Sequence, residues 1–260
     1  KMQTYDNQNY NQNYNQNYNQ NYNQNFNQYE VPLQGDDMEM GNEKQITNMM
    51  RLGFIRKVYG ILGAQLAITA AFVSLALMDS VKDFIYSHIA ILYICLGLSF
   101  FIAIPLICCK SVARKVPTNY ILLTIWTLCE SYIVGTIASF YDVQTVVTAA
   151  IMTAAVTLAL TAYACTTKTD FTYCGGLLFC FGAIMFCFTL FGWIFNIWLN
   201  AFYCVCGVIL YSLYLIYDTQ LVMGKFGLEY SIDDYVIAAM MIYIDIIQIF
   251  LYLLRLLGRK

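Results

Sequence analysis

Charged residues are scarce in this chain: only 12% of its 260 residues are Asp, Glu, Lys or Arg, whereas 60% are hydrophobic. An ordinary soluble domain is about a quarter charged and about half apolar. This scarcity excludes a soluble globular domain, because too little polar sequence is present to balance the apolar residues. The formal net charge of −2 gives no support for nucleic-acid binding. The composition predicts an all-α polytopic membrane protein.

Histidine is almost absent, since His88 is the single one in the chain. The sequence therefore has no HExxH motif and no histidine-rich metal site, and it also lacks GxSxG. These absences disfavour a zinc or serine hydrolase. The ten cysteines have no CxxC spacing and fall mostly in apolar runs, where plain packing is the simplest interpretation. Cys108 and Cys109, beside Lys110 at a membrane edge, are candidates for palmitoylation, with packing as the alternative.

The first fifty residues differ sharply from the rest. Residues 9–28 repeat a four-residue unit five times, as NYNQNYNQNYNQNYNQNFNQ, and residues 29–50 are acidic. The repeat has no charge and no aliphatic side chain, so it cannot bury a core of its own. We expect residues 1–50 to form a disordered cytosolic tail rich in Asn, Gln and Tyr, and residues 51–260 to form a transmembrane domain.

Seven apolar segments follow, and each approaches the roughly 20 residues that a helix needs to cross a bilayer. Basic residues cluster before segment one and between segments two and three, whereas the alternate loops hold only Lys82. Because short cytosolic loops are enriched in Lys and Arg, this pattern indicates a cytosolic N-terminus. Segment seven is followed by further basic residues, so it either crosses fully against this rule or re-enters. The segments are 55–78, 88–109, 118–139, 143–164, 171–194, 197–222 and 235–256.

Three acidic residues fall inside these segments: Glu130, Asp218 and Asp245. A charged group at mid-bilayer costs about 3 kcal/mol even on lenient insertion scales, so such residues usually have a function. At about 1.5 Å per residue, Asp218 lies about 7 Å and Asp245 about 14 Å from the cytosolic ends of their helices. A small axial shift would bring them together. Two carboxyl groups in contact share a proton and titrate as a unit, and an ionised pair offers oxygen ligands to Ca²⁺.

The last segment carries a polar stripe, because Asp245, Gln248, Tyr252 and Arg255 follow at spacings of 3, 4 and 3. Such spacing places all four on one helical face. We interpret Gln248 and Tyr252 as parts of an ion pathway and Arg255 as a basic partner of the aspartates. A polar seam that only fixes helix packing is the alternative. Glu130 either lines the pathway or is a protonated packing residue.

An intramembrane aspartyl protease is a weak alternative, since paired aspartates in two late segments also describe those enzymes. They carry GxGD around the second aspartate, whereas this chain reads YID, and no Pro-Ala-Leu motif follows. We expect a protein that is not an enzyme and needs no cofactor.

Four stretches carry a resemblance to a known family: PTNYILLTIWTLCESYIVGTIAS (117–139), TKTDFT (167–172), YDTQLVMG (217–224) and YSIDDYVIAAMMIYIDIIQIFLYLLRLLG (230–258). Over about residues 45–260 the chain resembles the transmembrane BAX inhibitor motif family, in its Lifeguard branch. The resemblance implies seven membrane helices with the last at the centre, and it implies that Asp218 and Asp245 form the family's aspartate dyad. The arginine of the second span that latches the dyad in some members has no counterpart in residues 89–109.

The resemblance also implies a pH-sensitive calcium leak channel of the endoplasmic reticulum or Golgi that restrains cell death, and we expect this function. Its ions would be Ca²⁺ and H⁺, and its partners would be regulators of cell death, with no nucleic acid. The alternative is a membrane scaffold that regulates apoptosis through its tail and loops without conducting ions. Neutralising the aspartates separates the two, because a channel loses its pH response and a scaffold does not.

Overall fold

The computed structural model describes the backbone of residues 36–194, 201–227 and 229–258, and it divides the chain into the units Lys1–Asn48 and Met49–Lys260. The predicted disorder of residues 1–35 lies outside the described residues. Residues 36–50, which the sequence assigned to the tail, are helical and begin the first helix.

All the long elements of the described residues are helices. Helix α1 is continuous and 41 residues long, whereas α2 and α4 are short connecting helices that the apolar runs did not predict. The elements are α1 (Asp36–Ala76), α2 (Asp79–Ser87), α3 (Ala90–Cys108), α4 (Lys110–Ala113), α5 (Thr118–Ala138), α6 (Val143–Thr166), a 3₁₀ turn (Thr172–Cys174), α7 (Gly175–Ile194), α8 (Ala201–Met223) and α9 (Tyr235–Leu257).

Seven segments of the described residues are long and apolar enough to cross a membrane, which confirms an all-α polytopic membrane protein. Their limits agree with the predicted segments within a few residues, except that the first begins at Ile46 rather than at residue 55. They are Ile46–Ala76, Ala90–Cys108, Thr118–Ala138, Val143–Thr166, Thr172–Thr189, Ala201–Met223 and Ile232–Leu257.

Helix α9 lies at the centre of the helix bundle, as predicted. In the segment Ile232–Leu257, 67% of the most apolar window is buried, against 17% in Ala90–Cys108. Helices α5, α6 and α8 all pack against α9. Ala238 and Ala239 are fully buried, and their small side chains allow neighbouring backbones to approach closely.

The two ends of α9 contact opposite ends of the bundle. At its start, Arg114 donates to both carboxylate oxygens of Asp234, at 2.7 and 2.9 Å, from the connection between α3 and α5. Past its end, Gly258 packs against Tyr141 in the connection between α5 and α6. An unbroken helix of 23 residues is about 34 Å long, which exceeds the roughly 30 Å of a hydrocarbon core. Of the two alternatives for segment seven, the structure therefore favours a full crossing.

This geometry predicts that residues before α1 and residues after α9 lie on opposite sides of the membrane. One epitope inserted into residues 9–28 and another added after Lys260 test it in sealed vesicles of one orientation. Antibody should reach only one of the two epitopes until detergent opens the vesicles. Access to both in sealed vesicles would indicate a re-entrant last segment.

Candidate functional site

The two predicted aspartates meet at the interface between α8 and α9. Asp218 is 6% exposed and Asp245 is 4% exposed, and their carboxyl groups lie close enough to hydrogen-bond when one of them carries a proton. A carboxylate has no hydrogen to donate, so two ionised groups could not form such a bond. The second oxygen of Asp245, Oδ2, is buried and has no hydrogen-bond partner among the described residues. The pair is therefore a buried acid dyad with one unused acceptor.

Tyr230 contacts the dyad from the connection between α8 and α9. Its hydroxyl donates to Oδ1 of Asp218 at 3.0 Å. Burial, together with the nearby charge of Asp218, raises the pKa of the Tyr230 hydroxyl, so the group keeps its proton and acts as a donor. A donor favours the ionised form of the carboxyl that accepts from it. Asp218 is therefore the acceptor of two hydrogen bonds when Asp245 carries the shared proton.

On the other side of the dyad, tyrosine side chains continue between α8 and α9. The hydroxyl of Tyr211 lies close enough to Asp245 to feel the charge of that carboxyl group. The ring of Tyr211 stacks on the ring of Tyr252, with 5.8 Å between the centroids. The Tyr252 hydroxyl is 3.3 Å from that of Tyr203, whose hydroxyl is 2.5 Å from Oγ1 of Thr189. We call Tyr203, Tyr211 and Tyr252 the tyrosine column. It extends from the dyad toward the start of α8. The predicted role of Tyr252 in an ion pathway stays a prediction.

Gly207 provides the space for Tyr252 in this column. It lies one helical turn from both Tyr203 and Tyr211, on the same face of α8. A Cβ atom at Gly207 would lie 2.6 Å from the Tyr252 ring, which is closer than van der Waals contact allows. A glycine at this position therefore lets α8 and α9 approach with a tyrosine between them.

Other predicted site residues lie elsewhere. Gln248 is half-buried on α9, and no specific hydrogen bond ties it to the dyad. Glu130 accepts a hydrogen bond from Ser99 at the contact between α3 and α5, and it is half-buried there. Its charge acts on Tyr243, which is two positions before Asp245 and so points away from the dyad face. The structure does not bring Glu130 to the dyad.

The predicted partnership of Arg255 with the dyad is wrong. Arg255 is exposed near the end of α9, and its charge acts on Tyr141 in the connection between α5 and α6. It follows Asp245 by ten residues, which is about 15 Å along a helix axis. The spacing places Arg255 on the helical face of Asp245, but this axial distance separates the two side chains.

Gln220, in the YDTQ motif, joins that motif to the TKTDFT motif. Its side chain is fully buried, its Oε1 accepts from the backbone N–H of Phe171 at 2.9 Å, and its Nε2 donates to the carbonyl of Thr169 at 2.9 Å. Gln220 thus fastens the connection between α6 and α7 to α8, two residues after Asp218. The sequence could have indicated this contact, because a glutamine inside an apolar segment needs hydrogen-bond partners when it is buried.

The described residues contain no group of three or more His, Cys, Asp and Glu side chains placed to hold a metal ion. Ca²⁺ takes about six to eight oxygen ligands, so two aspartates are a poor resident site. Ca²⁺ at Asp218 and Asp245 therefore stays a prediction, and it concerns a passing ion. Cys108 and Cys109 are both exposed, and their palmitoylation also stays a prediction.

Substitution of Gly207 tests the contact that defines the tyrosine column. We expect Gly207→Ala to lower the stability of the detergent-solubilised protein by about 1–3 kcal/mol, because the new methyl group overlaps the Tyr252 ring. The matched control is Gly97→Ala on α3, where a Cβ meets nothing within 4 Å. A thermal unfolding assay should show a loss for the first variant and no loss for the control. Equal stability of both variants would contradict the close packing at Gly207.

The chain is similar to known proteins of one family. The family model described as "Inhibitor of apoptosis-promoting Bax1" matches residues 51–260. Protein lifeguard 3 of Homo sapiens is 37% identical over 220 residues, which cover 81% of this chain and 70% of that protein. Protein lifeguard 4 of Mus musculus is 36% identical over 213 residues, which cover 80% of this chain and 85% of that protein. The chain therefore belongs to the transmembrane BAX inhibitor motif family, in its Lifeguard branch, a family of membrane proteins linked to the regulation of apoptosis.

Proposed function

We propose that this protein is a pH-sensitive calcium leak channel of the endoplasmic reticulum or Golgi membrane, with its N-terminus in the cytosol. The observation that carries the proposal is the pair of buried carboxyl groups, Asp218 and Asp245, in contact between two membrane helices. The leak would contribute to calcium homeostasis and so to the restraint of cell death.

The dyad has no cationic partner to fix its charge. Among the described residues, no Lys, Arg or His forms an ion pair with either aspartate. The titratable groups around the dyad are tyrosines: Tyr230 and Tyr214 face both aspartates, Tyr217 faces Asp218, and Tyr211 faces Asp245. Neutral hydroxyls can donate hydrogen bonds but cannot neutralise a carboxylate. The charge of the pair is thus balanced either by protons or by a cation.

The pair holds α8 and α9 together most strongly when it carries one proton. In that state Asp218 is ionised and accepts from both Asp245 and Tyr230, and hydrogen bonds to a charged acceptor are about twice as strong as neutral ones. A second proton, bound at lower pH, removes the charge and weakens both bonds. Acid therefore loosens the contact between α8 and α9, and we propose that this opens the route for Ca²⁺.

The route that this mechanism implies has two parts. On the cytosolic side, Tyr230 covers Asp218. On the other side, the tyrosine column fills the space between α8 and α9 and offers hydroxyl oxygens. Oxygen atoms are the ligands that Ca²⁺ prefers, so separated helices would present a suitable lining.

Calcium flux into liposomes, measured between about pH 6 and 8, tests the proposal with wild type and two dyad variants. Wild type should leak faster as the pH falls. Asp218→Asn should leak at the same rate throughout this range, because the carboxyl group whose charge strengthens the contact is gone. Asp245→Asn should respond to pH with a displaced midpoint, because Asp218 no longer shares a proton.

The control variant is Asp83→Asn, which removes an exposed carboxylate on α2 and should behave as wild type. A wild-type pH response in Asp218→Asn would contradict the dyad as the sensor. If folded wild-type protein gives no more flux than empty liposomes, the chain is not a channel, and the scaffold alternative replaces it.

A further inference from the structure

Two glycines and one backbone hydrogen bond shape the described residues of the connection between α8 and α9. Gly224 and Gly227 both have positive φ, at 65° and 85°, which favours glycine. The backbone N–H of Tyr230 donates to the carbonyl of Leu221 at 3.3 Å, and this bond closes the loop on the end of α8. We call residues 224–227 and 229–230 the dyad loop, because its last residue donates to Asp218.

Arg51 binds this loop from α1, where it lies near the start of the span Ile46–Ala76. Its Nη1 donates to the carbonyl of Tyr230 at 2.7 Å, and its Nη2 donates to the carbonyl of Leu221 at 2.5 Å. Its Nη1 also lies 3.4 Å from a carboxylate oxygen of Glu229. The Arg51 side chain is only 12% exposed, whereas that of Glu229 is 52% exposed. The two carbonyl contacts therefore outweigh the solvent-screened ion pair.

The glycine at position 224 leaves the space that the Arg51 side chain occupies. A Cβ atom at Gly224 would lie 2.7 Å from Nη2 and 2.8 Å from Nε of Arg51, and it would also overlap the Glu229 carboxylate. Any side chain at position 224 would thus displace the guanidinium group. The planar guanidinium can reach two carbonyl oxygens at once, which the single ammonium group of a lysine does less well.

We propose that Arg51 is a positioning residue that holds the dyad loop, and through it the Tyr230 hydroxyl, against Asp218. This inference rests on the proposed function for its effect on the leak, although the positioning itself does not. Arg51 contacts neither aspartate; it acts through the backbone of Tyr230. The titratable groups that face Tyr230 are Asp218, Asp245 and Tyr217, and the one that faces Arg51 is Glu229.

If Arg51 is lost, Tyr230 no longer stays within hydrogen-bond distance of Asp218. The ionised form of Asp218 then loses one of its two donors, so it binds the second proton more readily. Under the proposed mechanism, the leak should begin at higher pH. A residue that only stabilised the fold would lower the amount of folded protein and leave the pH midpoint unchanged.

Amide hydrogen exchange on the purified full chain tests the positioning directly. In Arg51→Met and in Gly224→Ala, residues 225–234 should exchange about tenfold faster than in wild type, because the hydrogen bonds that close the loop are lost. Exchange in α5 should not change. The control is Arg56→Met, which removes an exposed arginine from the same helix and should exchange as wild type. Unchanged exchange in both Arg51→Met and Gly224→Ala would overturn the proposal.

The leak assay on the same variants separates this inference from the proposed function. The expected result is a pH midpoint that moves upward in Arg51→Met and stays in place in Arg56→Met. Faster exchange with an unmoved midpoint, in a protein whose leak depends on Asp218, would overturn the role of Arg51 at the dyad. If wild type does not leak at all, the proposed function fails, and the exchange experiment alone still decides whether Arg51 positions the loop.

Discussion

Two carboxyl groups in contact inside a membrane cannot easily both be ionised, and the mechanism that we propose for the last two helices depends on that constraint. A charged carboxylate at this depth costs about 3 kcal/mol even on lenient scales. We propose that Asp218 and Asp245 avoid the cost of two charges by sharing one proton, while Tyr230 donates to the charge that remains. The hydrogen-bonded contact of α8 with α9 is thus coupled to the number of protons bound.

A second polar cluster holds the opposite face of α9. The Tyr243 hydroxyl is 2.8 Å from Oγ1 of Thr69 on α1, and that oxygen is 2.9 Å from Oγ of Ser131 on α5. The indole of Trp126 meets the Tyr243 ring edge to face at 5.4 Å. Hydrogen bonds between membrane helices contribute about 0.6 kcal/mol each, so the cluster orients α9 more than it stabilises it. With one face fixed in this way, the dyad face is the one that can respond to protons.

The fold and the dyad could be predicted from the sequence, because both follow from local patterns. Span length and hydropathy gave the seven helices, and the rise per residue placed Asp218 and Asp245 in the same half of the membrane. Arg255 was proposed as a partner from its helical face alone, and its ten-residue separation from Asp245 puts it about 15 Å farther along the helix. Arg51 could not be found at all, because its two acceptors lie 179 and 170 residues away and are backbone carbonyls that no side-chain pattern reveals.

The most direct test of this account is infrared spectroscopy of the membrane-embedded protein, which detects the carbonyl stretch of a protonated carboxyl group. The account predicts such a signal at neutral pH that disappears in Asp245→Asn and persists in Glu130→Gln, because the shared proton belongs to the dyad. A neutral-pH spectrum in which Asp245→Asn leaves the signal of protonated carboxyl groups unchanged would show that the two aspartates share no proton, and it would contradict the account.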